Sequence, residues 1–260
     1  MTPSTAGKPA PGGAASSRPP VFLAEPADLA GEVIELSGPE GRHAADVRRL
    51  AVGERADVTD GAGELAECVV TRVQRGSVEL AVRGRRLLPA PQPAVVVVQA
   101  IPKGDRGQLA VELMTEVGVD VVVPWAAERG IVRWAGERGE RALARWRSTA
   151  REAAKQARRG RIPDVTGLAG TGDVATRVAT AASAIVLDPD ADEPLGRVAL
   201  PSSGEVVVIV GPEGGISPAE AGLLTGAGAT AAHLGPTVLR ASTAGAVAAA
   251  VLLSRTGRWA

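Results

Sequence analysis

The spacing of hydrophobic and polar positions changes once along the chain. Between residues 18 and 88 apolar and polar residues alternate in short runs. "GERADVTDGAGELAECVVTRV" places Asp60-Gly61 between two alternating segments, and "SVELAVRG" follows. That rhythm predicts short strands joined by tight turns, a small β domain over residues 18–88. The proline-rich "RRLLPAPQP" (85–93) predicts a linker. Beyond it the pattern becomes alternating strands and helices. "AVVVVQAI" (94–101) is a continuous apolar run, as in a parallel strand covered on both faces. "GQLAVELMTEVG" (107–118) predicts a helix stopped by Gly118, and "VDVVVPW" (119–125) the next strand. A long helix is predicted over 137–159. "SAIVLDPD", "EVVVIVGPEGG" and "ATAAHLGP" each read as a short strand ending in a turn. "STAGAVAAAVLLSR" predicts an Ala-rich helix, buried on most sides in the core or against a partner subunit. Alternation of this kind argues for a parallel α/β sheet over residues 89–260.

Composition narrows the chemistry. The single cysteine, Cys68, excludes an intrachain disulfide and a cysteine metal cluster and suits a reducing cytoplasm; with two histidines, no metal site is expected. One Phe, four Trp and no Tyr leave few platforms for base stacking. No apolar run reaches the roughly 20 residues that span a bilayer, so no membrane partner is expected. Residues 1–17, rich in Pro, Gly, Ala and Ser, read as a disordered tail. The net charge is zero, yet residues 103–161 carry 13 basic and 8 acidic side chains, a candidate surface for a polyanion.

Three segments carry candidate chemistry. "VVVIVGPEGGISPAE" (206–220) runs from a buried strand through a glycine turn into a helix. Ser217 and Glu220 form a capping box, with Pro218 in the first turn. Neither phosphate-loop fingerprint is present, and Glu213 would repel a phosphate. The loop suits a ligand that is neutral or cationic at the contact, such as a sulfonium, with Gly211, Gly214 and Gly215 allowing close backbone approach. "HLGPTVLRAST" (233–243) turns at Gly235-Pro236 and presents Arg240 ahead of the last helix, between apolar runs where a charge needs a partner or a task. His233 reads as a strand residue in the core. "RALARWRSTAREAAKQARRGR" (141–161) holds eight basic residues and one acidic. Leu143, Trp146, Ala150, Ala153 and Ala157 form its inner face. Arg141, Arg145, Lys155 and Arg159 are expected outward, on phosphates.

Together these segments resemble the bacterial 16S rRNA uridine-N3 methyltransferase family of the SPOUT class, often called RsmE. The carriers are "IPKGDR" (101–106), "TEVGVDVVVP" (115–124), "ER" (128–129), "EAAKQARRGRIPDV" (152–165), "VIVGPEGGISPAE" (208–220) and "HLGPTVLRAST", with "RHAADVRR" (42–49) near the start. The resemblance implies a PUA-like β-barrel domain that binds RNA, then a SPOUT α/β domain with a C-terminal trefoil knot. It implies S-adenosylmethionine as donor, 16S rRNA in the small ribosomal subunit as acceptor, and a homodimer. By motif, Leu187, Ile209, Val210, Gly211, Pro212, Glu213, Gly215, Leu234, Gly235, Val238 and Leu239 would surround the donor, and Arg240 would be catalytic. His43, Arg49, Lys103, Arg106, Arg129, Gln156 and Arg159 fall on the family's RNA-facing or structural positions. The chain departs from the family's usual residues at Pro20, Leu113, Thr237 and Ala241–Thr243, where a carboxylate is replaced by Ser242. Two other classes remain: a nicotinamide-dependent enzyme, suggested only by the strand–glycine–helix order, and a non-catalytic RNA-binding assembly factor that keeps the knotted fold without its chemistry.

Overall fold

A computed structural model describes residues 18–259; the expected tail over 1–17 lies outside the described residues. Five strands come first: β1 (Val21–Leu23), β2 (Val33–Leu36), β3 (Arg55–Thr59), β4 (Glu64–Gln74) and β5 (Ser77–Leu87). They form one sheet in the order β1-β3-β4-β5-β2, with β1 parallel to β3 and the other pairs antiparallel. The expected turn joins β3 to β4. The Asp60 carboxylate accepts from the N–H groups of Ala62, Gly63 and Glu64 at 2.7, 2.9 and 3.0 Å, and Gly61 takes φ +78°. Alternation then places Phe22, Ile34, Leu36, Val58, Ala66, Val70 and Leu80 on one buried face. Two short helices, α1 (Pro26–Leu29) and α2 (Gly38–Arg42), cover it, and α2 runs on into a π-turn over His43–Val47.

The second sheet is wholly parallel. It comprises β6 (Ala94–Ala100), β7 (Val121–Trp125), β8 (Asp164–Val165), β9 (Ser183–Leu187), β10 (Glu205–Val210) and β11 (Thr230–Ala232), in the order β11-β9-β10-β6-β7-β8. Helices α3 (Arg106–Val117), α4 (Gly136–Gln156) and α7 (Ala241–Arg255) cover one face, α5 (Thr171–Thr180) and α6 (Pro218–Gly226) the other. The continuous apolar runs are thereby explained. Val95, Val97, Val206, Val208 and Val210 face α3 and α7, whereas Val96, Val98, Val207 and Ile209 face α5 and α6. Gly118 ends α3 at φ +117°, as expected of a glycine stop. Helix α7 buries Ala244, Ala248, Ala249, Leu252 and Leu253 but leaves Val247 exposed.

Helix α4 stops at Gln156, short of the predicted Arg159. The chain then crosses to the first sheet. The Thr59 hydroxyl donates to the Gly160 carbonyl (2.8 Å), the Ile162 N–H to the Gly61 carbonyl (2.9 Å), and Arg161 to the Leu88 carbonyl (2.6 Å). A Cβ on Gly63 would collide with the Arg161 guanidinium. At the end of α4, Lys155 Nζ lies 2.7 Å from Glu40 Oε1 with its side chain only 5% exposed. Residues 155–162 therefore join the two sheets. Among the described residues, no helix is long and apolar enough to cross a membrane.

Candidate functional site

Ligands of open α/β sheets sit beyond the carboxyl ends of the strands, and a cavity with a volume of about 600 Å³ opens there. Three strand-to-helix loops build it. Leu187 ends β9, followed by Asp188, whose carboxylate accepts from the Asp190 N–H at 2.9 Å; all three face the cavity. Beyond β10, Val210, Gly211, Pro212, Glu213 and Gly215 line it, and beyond β11 Leu234, Gly235, Thr237, Val238 and Leu239. Arg240, at the N-cap of α7, and Arg106, opening α3, complete the rim.

The glycine loop is held from several sides. Gly215 takes φ +74°, a region costly for side chains. A Cβ on Gly211 would lie 2.8 Å from the Ile216 side chain. The capping box forms as expected: the Ser217 N–H donates to Glu220 (3.1 Å), and the Glu220 N–H to the Ser217 hydroxyl (3.3 Å). It is more than local. Glu220 is buried and also accepts from the Glu128 N–H (2.8 Å) and the Thr171 hydroxyl (2.9 Å), while the Ser217 hydroxyl donates to the Glu128 carboxylate. Arg129 donates to the Gly214 carbonyl (3.3 Å), and Glu213 accepts from the Lys103 N–H (3.4 Å). Glu213 thus faces the cavity and ties the loop to residues 101–105 at once.

Ten of the eleven expected donor-loop residues line this cavity. Ile209 does not: strand alternation turns it to the opposite face, fully buried beside Val207 and Leu224. Arg240 is exposed on the cavity rim, with no ion pair or hydrogen bond of its guanidinium among the described residues. His233 is half-buried rather than core; its Nδ1 accepts from the Gly235 N–H at 3.0 Å and shapes the turn. "LDPD" (187–190) is a strand end at which the sequence already places a ligand, and Asp188 and Asp190 supply its two carboxylates to the cavity.

The expected RNA-facing residues divide in two. Arg49, Lys103, Arg106, Arg129, Arg141, Arg145 and Gln156 are exposed. His43 is half-buried, its ring set edge-on to Phe22 at 5.9 Å between centroids. Lys155 and Arg159 do not face outward. Lys155 is consumed by Glu40 across the joint. Arg159 donates to the carbonyls of Thr115 (2.7 Å) and Val119 (2.9 Å) and lies 3.8 Å from Asp120. Burial pulls the Arg159 guanidinium down to about 10, against the opposing pull of Asp120. Helix α4 is buried on two sides, against α3 and against the first sheet, so one apolar stripe could not define its outer face.

The fit to a sulfonium donor rests on this lining. The volume lies in the range of roughly 300–1,000 Å³ usual for small-ligand sites. Three carboxylates, Asp188, Asp190 and Glu213, face it beside apolar Leu187, Leu234 and Leu239. Arg106 and Arg240 on the rim leave an acidic excess of one, which suits an apolar-bodied cation better than a triphosphate.

This architecture, a parallel sheet with a cleft at its strand ends joined to a small β unit, matches that of RNA methyltransferases of SPOUT type. The RNA methyltransferase domain matches residues 89–253, and the RNA methyltransferase PUA domain residues 36–83. The chain belongs to the ribosomal RNA small subunit methyltransferase E family. It is 46% identical to the Mycobacterium tuberculosis member over 233 residues, 88% of this chain and 89% of that one. It is 26% identical to the Bacillus subtilis member, over 80% and 85% of the two chains. Among solved structures, a Legionella pneumophila protein in complex with the bound cofactor SAM superposes with a TM-score of 0.75 at 27% identity, covering 92% of this chain and 98% of that one. The Neisseria gonorrhoeae enzyme bound to S-adenosyl methionine shares the fold, with a TM-score of 0.78 at 24% identity, over 92% of this chain and 98% of that one.

Proposed function

We propose that this protein methylates N3 of one uridine in 16S rRNA of the small ribosomal subunit, in the cytoplasm, with S-adenosylmethionine as donor. The observation that carries the reading is the cleft itself: the Gly211–Gly215 and Leu234–Leu239 loops converge beside three carboxylates, with Arg240 free at the rim. Residues 18–88 would serve as the RNA-binding PUA-like domain and residues 89–260 as the methyltransferase domain.

When bound, the donor supplies an activated methyl group on sulfur. The protein's work is then mainly placement, and good alignment contributes up to roughly 7–11 kcal/mol. In the displacement the N3–CH3 bond forms as the S–CH3 bond breaks, and the N3 proton is lost. Arg240 stays protonated and cannot take that proton. Its role is to hold the anionic ring through the flanking carbonyl oxygens. The N-terminus of α7, which Arg240 caps, adds its positive end to the same field. The proton passes to water or to a rim carboxylate.

Two further features belong to this reading. A homodimer would cover Val247 on α7 and Val238, 80% exposed on the third cavity loop. A trefoil knot fits the path of the chain, which passes beyond β9 to β11 and returns on the face of β6 and β10 through α7. The test is Arg240→Ala assayed on purified small subunit. Turnover is expected to fall by about 100-fold or more with donor binding intact; near-normal turnover refutes the role. Mass mapping of the product rRNA locates the methyl group.

A further inference from the structure

A second hollow of about 560 Å³ lies beside the cleft, between the start of α3, the 131–134 segment and α4. Residues 101–106 form the wall between the two. Ile101, Pro102, Gly104 and Asp105 face the second hollow, Arg106 faces the first, and the Lys103 N–H reaches Glu213. The hollow joins an apolar floor to a cationic rim. Trp134 is set edge-on to the buried Trp146 at 5.0 Å between centroids, and Ile131 is 65% exposed beside it. Arg138 and Arg145, seven residues apart on one face of α4, stand over the floor formed by Ala142 and Trp146. Both arginines are exposed, and neither has an ion pair or hydrogen bond among the described residues. Their neighbours differ. Arg141 pairs with Glu137 at 3.2 Å, and Arg133 is used on the Ala127 and Glu128 carbonyls at 2.9 and 2.8 Å. Asp105 is the one carboxylate in the lining.

We propose that this hollow binds a nucleotide of single-stranded RNA flanking the methylated base. Arg138 and Arg145 would hold phosphates, and a base would lie against Trp134 and Ile131. Charge complementarity selects RNA over a protein segment: two unpaired arginines outweigh one carboxylate over an aromatic floor. Position selects a flanking nucleotide, because a wall of six residues separates the hollow from the methyl-transfer cleft. The inference rests on the RNA-methylating reading given above and adds to it a determinant of which strand can enter.

The test uses the full chain and a short single-stranded RNA together with purified small subunit. Arg138→Ala/Arg145→Ala, changed only at exposed side chains, is expected to weaken RNA binding about tenfold or more. It should also flatten the slope of log affinity against log salt by about 1.4, the value for two phosphates on a single strand. S-adenosylmethionine affinity should be unchanged. Trp134→Ala should weaken binding about tenfold, whereas Trp134→Phe, which keeps a stacking face, should largely restore it. Wild-type RNA affinity and salt slope in the arginine variant overturn the proposal. So does an altered sedimentation state with unaltered RNA affinity, which would assign the hollow to a second copy of the chain. A wild-type protein that binds RNA with the expected salt slope but transfers no methyl group would instead overturn the proposed function and leave the groove assignment standing.

Discussion

Lys155→Met offers a sharp test of how the two sheets are held together. The lysine is 5% exposed and its partner Glu40 is 16% exposed, so removing the ammonium strands a largely desolvated carboxylate. Breaking a buried pair from one side costs about 3–5 kcal/mol. Two features place this pair at the lower end. Glu40 keeps a long hydrogen bond from the Leu23 N–H (3.4 Å), and the second partner of Lys155, Glu152 at 3.4 Å, is 56% exposed and contributes little. A loss of about 3 kcal/mol follows. With a urea dependence of roughly 2–3 kcal/mol per molar, the unfolding midpoint should fall by about 1–1.5 M. Glu40→Gln should cost a similar amount, because it leaves the ammonium buried without its counter-charge. Lys155→Met/Glu40→Leu replaces both charges with apolar groups and should be more stable than either single variant. Urea titration followed by far-ultraviolet circular dichroism reads all four proteins. A single variant within about 0.3 M of wild type, or a double variant no better than the singles, would refute the reasoning.

Three other changes probe the cleft, helix α6 and the first sheet. Gly215→Ala forces a side chain into φ +74° without a clash, so it should cost about 1–2 kcal/mol and weaken S-adenosylmethionine binding by calorimetry; Gly222→Ala, inside α6 with open space around it, should instead stabilise by about 0.4–1 kcal/mol. Burial and then Glu67 raise the Asp57 carboxyl above its usual range, so the native state binds that proton more tightly than the unfolded one and stability falls as pH rises through the shifted value. Asp57→Asn removes this penalty, and its advantage in urea midpoint over wild type should be larger at about pH 7 than at about pH 3.

What the sequence made legible follows from range. Strands, glycine stops and the Ser217–Glu220 box depend on neighbours a few residues away, and all of these are found. The donor loops are local strand-to-turn segments, and ten of their eleven residues line one cavity. Ile209 lies outside the lining because strand parity sets Val206, Val208 and Val210 on one face and Ile209 on the other. Lys155 and Arg159 could not be placed by any local rule. Their fates are set by Glu40, 115 residues earlier, and by the Thr115 and Val119 carbonyls at the far end of α3. Trp134, Arg138 and Arg145 come together only when α4 packs beside the 131–134 segment.

The buried carboxylate of Glu220 has a thermodynamic consequence for the donor. Its contacts reach Glu128 and Thr171, and so fix the exit of the glycine loop while the protein folds. The ordering entropy of that loop is therefore charged to folding, and little of it is left to oppose ligand association. Donor affinity becomes a property of the whole α/β unit. Damage at Thr171, whose side chain is absent from the cavity lining, would register as a weaker complex with S-adenosylmethionine.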